Sequence, residues 1–227
     1  MENKFNLMGQ LVFKFPFKTK YYEQDYYVSS NNFSAYRLVE SWPNWPGKWL
    51  NIFGPKGSGK THLSNIFIKK IKSYYIEAND FNDNDIITNI QNKECLIIDN
   101  YKNNIDEKAF YSLLNFLKQS NKYAIINSLN SIKNERIKLE DLKSRLNSFI
   151  DVGIELPTDE LLRVIISKYF SDKQIEISPK ISEYIIKNIE RSYEKVFKFI
   201  KEIDDLSLSS GKSININLIK KVLINNE

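Results

Sequence analysis

The chain has 227 residues, 42% of them hydrophobic, enough for the core of one medium domain or of a domain with a small appendage. One cysteine leaves no internal disulfide, no apolar run approaches the ~18 residues of a membrane-crossing helix, and residues 1–10 lack the apolar core of a secretory signal, so a cytoplasmic protein without a membrane role is expected. The net charge of +5 permits contact with nucleic acid without demanding it, because much of the excess is lysine on solvated helix faces.

Residues 1–24 read as an arm rich in aromatics and lysine. Ser34 to Ser41 predicts a helix, broken by Trp42-Pro43-Asn44-Trp45-Pro46. Trp49 to Phe53 reads as a short buried strand. It runs into Gly54-Pro55-Lys56-Gly57-Ser58-Gly59-Lys60-Thr61, and His62 to Ile68 then carries apolar residues at helical spacing. Ser73 to Glu77 predicts a strand and Asp83 to Ile90 a short helix. Cys95-Leu96-Ile97-Ile98 is a continuous apolar run ending in Asp99, as in strands covered on both faces. A helix follows from Asp106, with Phe110, Leu113, Leu114 and Leu117 on one face. Tyr123 to Ile126 predicts a strand ending in Asn127-Ser128, Leu139 to Ser148 a helix, and Phe149 to Leu156 the last strand.

Strands alternating with helices predict a parallel α/β sheet covered on both faces. After Pro157 the pattern becomes all helical. Thr158 caps a helix to Phe170, Ser178-Pro179 starts a second, Tyr193 to Ile203 marks a third that stops near Gly211, and Asn217 to Leu223 a fourth. The expected division is 1–24 as the arm, 25–156 as the α/β domain and 157–227 as a small helical domain.

The stretch Gly54 to Thr61 fits G-x-x-x-x-G-K-[ST], a phosphate-binding P-loop. Its glycines let the backbone aim N–H groups at a phosphate, Lys60 can reach the β- and γ-phosphates, and Thr61 can offer its hydroxyl to Mg²⁺. The helix it opens adds positive partial charge at its N-terminus. Such a site also needs a carboxylate at the end of a neighbouring buried strand, and Asp99 is placed for it. The next residue is Asn100, whose amide can orient a water but cannot accept its proton. Weak intrinsic hydrolysis and a resting state with ADP are therefore expected. A single histidine, His62, gives no basis for a catalytic triad or a zinc site, and Cys95 reads as buried filler.

The assembled order resembles the AAA+ ATPases: a P-loop α/β domain followed by a helical lid. More narrowly it is similar to the replication initiator DnaA and its shorter relatives of the Hda type, which act in regulatory inactivation of DnaA. The resemblance is carried by Gly54 to Leu63, by Ile97-Ile98-Asp99-Asn100, by Leu142-Lys143-Ser144-Arg145-Leu146, and by Asp25-Tyr26-Tyr27-Val28 with Asn32 and the Trp-Pro segment. The last group, including Tyr26 and Tyr27, implies an approach to an adenine pocket. The resemblance further implies that Arg145 is an arginine finger toward a neighbouring subunit and that Asn127 senses the γ-phosphate. For the lid's sensor arginine, apolar spacing aligns the family position with Glu194, and Arg191, one turn earlier, is the nearest candidate.

Gln10-Leu11-Val12-Phe13-Lys14-Phe15 resembles the peptide by which Hda-like proteins dock on the sliding clamp. Leu11, Phe13 and Phe15 would enter an apolar pocket and Gln10 would hydrogen-bond at its rim, although alternating apolar residues describe an N-terminal strand equally well. No DNA-reading domain follows the lid in this sequence, so any DNA contact is expected to pass through the clamp. The implied function is stimulation of ATP hydrolysis on DnaA to prevent re-initiation, with DnaA and the clamp as partners, ATP/ADP and Mg²⁺ as cofactors, and a homodimer possible. The alternatives are a DNA-associated adaptor or helicase-loader ATPase, and a nucleotide-stabilised scaffold without catalytic output.

Overall fold

A computed structural model describes residues 23–224. The expected clamp-binding peptide, Gln10 to Phe15, lies outside the described residues. The chain divides into two compact units between Leu156 and Pro157.

In the first unit, five strands form a parallel sheet in the order β2-β3-β4-β1-β5. They are β1 (Trp49–Phe53), β2 (Ser73–Glu77), β3 (Cys95–Tyr101), β4 (Tyr123–Ser128) and β5 (Ile150–Gly153). The helices between them are α1 (Phe33–Glu40), α2 (Lys60–Ile68), α3 (Asp83–Ile90), α4 (Glu107–Gln119) and α5 (Glu140–Asn147). This is the doubly covered α/β sheet that the alternation predicts. Side chains alternate across each strand, so each face gathers its own core. Leu50, Ile52, Cys95, Ile97 and Ile125 pack with Leu63, Ile66 and Phe67 of α2. Leu96, Ile98, Ala124 and Ile126 pack on the other face with Ile86, Phe110, Leu113, Leu117 and Leu146. Asp106 caps α4 by accepting from the backbone N–H groups of Lys108 and Ala109.

Two strand ends differ from expectation. β3 continues past Asp99 to Tyr101, with a register irregularity between Ile98 and Tyr101 where Asn100 takes φ 56°. β5 is shorter than the predicted Phe149 to Leu156. The Phe149 N–H closes the end of α5 on the Leu146 carbonyl, and its ring packs on Trp49 at 5.2 Å. At the other end, the Glu155 N–H turns away from β1 to the Asn31 carbonyl.

The second unit contains α6 (Asp159–Ser171), α7 (Pro179–Asn188), α8 (Tyr193–Ser210) and α9 (Ile216–Ile224). Thr158 accepts from the Leu161 N–H, and Gly211 ends α8 with φ 62°. Leu162, Ile166, Phe170, Ile185, Val196, Ile200, Ile203 and Ile219 form its core. Asp204, buried in α8, is paired with Lys173.

Candidate nucleotide site

The P-loop connects the C-terminal end of β1 to the start of α2. Its backbone requires glycine at specific points. Gly54 takes φ +153°, and a Cβ there would come within 2.4 Å of the Ile154 carbonyl oxygen. Gly59 takes φ +95°, with the Tyr26 ring edge 3.0 Å from where a Cβ would stand. Tyr26 therefore lies against the loop. It also meets His62 edge-on at 5.2 Å and stacks on Tyr36 at 5.9 Å. Its segment is held by Asn32, whose side chain accepts from the Ser29 N–H and donates to the Tyr27 carbonyl. Tyr27 itself, Lys56 and Gly57 are exposed, and Pro55 is half-buried.

Lys60 is buried, and its ammonium donates to the carbonyls of Gly54 at 2.7 Å and Pro55 at 2.9 Å. Burial lowers its pKa to about 8, and the nearby Asp99 opposes that shift. The parallel order puts β4 between β1 and β3, so Asn127 and Asp99 reach the same sheet end as the loop. Asp99 is almost fully buried and saturated with donors. Oδ2 accepts from Thr61 Oγ1 at 2.6 Å and faces the Tyr75 hydroxyl at 2.7 Å. Oδ1 accepts from the Asn100 N–H at 2.9 Å and from Asn127 Nδ2 at 3.1 Å. Asn127 Nδ2 also reaches Ser64 Oγ at 2.8 Å. Asn127 Oδ1 and Ser58 Oγ are buried without a hydrogen-bond partner among the described residues.

Glu77, Tyr75 and Ser64 were not expected here. Glu77 sits opposite Asp99 in the β2–β3 ladder. It accepts from Asn100 Nδ2 at 2.8 Å and faces the Tyr75 hydroxyl at 3.0 Å. Burial and the two carboxylates hold the Tyr75 phenol in its protonated form, with its pKa raised. Tyr75 and Glu77 share one face of β2 by simple alternation, which the sequence allowed. Their partners depend on register, which it did not show.

Thr61 and Asp99 offer hard oxygen donors, and no group of three or more His, Cys, Asp or Glu able to hold a metal exists among the described residues. That donor set suits Mg²⁺, which keeps its waters and is carried on substrate phosphates rather than in a protein cage. The remaining predicted residues lie elsewhere. Arg145 in α5 is half-buried and donates from Nε to Asn115 Oδ1 in α4 at 2.9 Å. Arg191 belongs to the helical unit, where it pairs with Asp159 at 3.1 Å. No helix among the described residues is long and apolar enough to cross a membrane.

A family model described as RNA helicase matches residues 50–137, the stretch that holds the P-loop and Asp99. DnaA of Buchnera aphidicola (subspecies Cinara cedri) is 26% identical over 215 residues, covering 84% of this chain and 48% of that protein. Domain III of Thermotoga maritima DnaA superposes with a TM-score of 0.75 at 19% identity, covering 93% of this chain and 98% of that one. AMPPCP-bound DnaA from Aquifex aeolicus gives a TM-score of 0.66 at 22% identity, covering 86% and 68%. Sheet order and helical unit together give the fold that the DnaA structures have, with a P-loop sequence between β1 and α2. In sequence the chain is similar to DnaA at about a quarter identity. It spans about half the length of the Buchnera DnaA it matches.

Proposed function

We propose that this chain binds an adenine nucleotide with Mg²⁺ at the P-loop and acts as an Hda-like regulator of replication initiation. The observation that carries the reading is the convergence of Lys60, Thr61, Asp99 and Asn127 at one sheet end. The AMPPCP bound to the Aquifex relative supports the choice of an adenine nucleotide. Lys60 neutralises phosphate charge, Thr61 and Asp99 hold the Mg²⁺ shell, and Tyr26 with His62 flanks the loop on the base side. Asn127 reports on the γ-phosphate, and Arg191 in the helical unit is the candidate second sensor.

The chain docks on the sliding clamp through Gln10, Leu11, Phe13 and Phe15. It presents Arg145 to a neighbouring DnaA·ATP, where a guanidinium on the transferring phosphoryl group is worth about 10³–10⁵ in rate. Asn100 keeps intrinsic hydrolysis slow. The test is DnaA·ATP hydrolysis on DNA-loaded clamps, with calorimetric binding of the isolated clamp alongside. Arg145→Ala is expected to abolish the stimulation while leaving clamp binding intact. Gln10→Ala/Leu11→Ala is expected to abolish both. Unchanged stimulation by Arg145→Ala would refute the mechanism.

A further inference from the structure

We infer that Glu77 takes the proton of the attacking water when this chain hydrolyses ATP, with Asn100 as its positioning residue. The inference rests on the nucleotide reading above. An amide follows Asp99, so β3 offers no second carboxylate at that position to accept a proton. The β2–β3 register restores a carboxylate by another route, because Glu77 lies opposite Asp99 at the same sheet end.

The Glu77 carboxylate faces an uncharged donor at each oxygen. Asn100 Nδ2 stands 2.8 Å from Oε2, and the Tyr75 hydroxyl 3.0 Å from Oε1. Neutral donors fix its direction without tying it up in an ion pair, and each oxygen keeps a second lone pair. The Tyr75 hydroxyl also lies 2.7 Å from Asp99 Oδ2, and its one proton serves one carboxylate at a time. Asn100 adopts φ 56°, a conformation that asparagine tolerates at small cost. Its backbone N–H bonds Asp99 while its side chain bonds Glu77. One residue thus connects both carboxylates, and its amide oxygen can accept from a water placed between them. Asn100 is exposed and Glu77 half-buried, so water can reach the pair.

In the reaction the water oxygen bonds to the γ-phosphorus and the bond to the β,γ-bridging oxygen breaks. ADP leaves with that electron pair. The water proton passes to Glu77, which later releases it to solvent.

The experiment is single-turnover ATP hydrolysis by the full chain at about pH 7.5, with binding of a fluorescent non-hydrolysable ATP analogue as a second readout. Glu77→Gln is expected to bind the analogue within about twofold of wild type and to hydrolyse ATP about 100-fold more slowly. Glu77→Asp, which keeps a carboxylate, is expected to recover part of that lost rate. Equal hydrolysis by wild type and Glu77→Gln would overturn the assignment. So would a wild type that binds the analogue yet leaves ATP intact, or a Glu77→Gln variant that loses analogue binding. Failure of wild type to bind the analogue would instead overturn the nucleotide reading, and this assignment with it.

Discussion

Asn127 donates its side-chain amide to the Asp99 carboxylate across 3.1 Å, which ties the end of β4 to the end of β3 beneath the P-loop. Both residues are buried, so the bond forms away from water. Asn127→Ala should destabilise the protein by about 2 kcal/mol and lower Tm by roughly 5 °C. Asn127→Asp should do more damage, because it replaces the donor with a second carboxylate beside Asp99. Thermal melts of wild type and both variants check this.

The loop glycines should differ in tolerance. At Gly54 a Cβ meets the Ile154 backbone carbonyl, whose peptide unit is held by the Glu155 N–H bond to the Asn31 carbonyl. At Gly59 it meets only the edge of the Tyr26 ring. Gly54→Ala is therefore expected to lower Tm further than Gly59→Ala. Adding Tyr26→Ala to Gly59→Ala should relieve the clash but not the backbone cost of φ +95°. A double-mutant cycle measures that partial recovery.

Nucleotide affinity should depend on pH through Lys60. Its pKa of about 8 means that the free protein loses this charge in mildly alkaline solution. Bound phosphates favour the protonated form and raise the pKa, so binding above pH 8 takes up a proton. Affinity should hold steady below that pH and fall above it, by at most about tenfold per pH unit. Fluorescence titration with an ADP analogue should show this slope for wild type and a flat, weaker profile for Lys60→Gln.

Local chemistry wrote much of this protein into its sequence. The apolar runs at Cys95 to Ile98 and Tyr123 to Ile126 became buried strands because continuous apolar runs suit a sheet covered on both faces. Thr158 and Gly211 marked helix ends because capping is decided within a few residues. The P-loop was legible for the same reason, since its glycines and Lys60 act within one turn of chain.

The tertiary structure alone decided what crosses between strands and helices. Strand order brought Asn127 beside Asp99, parallel register set Glu77 opposite Asp99, and the packing of α4 on α5 supplied Asn115 to Arg145. It also cut β5 short, because Phe149 and Glu155 found partners outside the ladder. A strand's alternation says which side chains share a face. It carries no record of how far one strand slides along the next, and a one-residue slip turns every side chain to the other face.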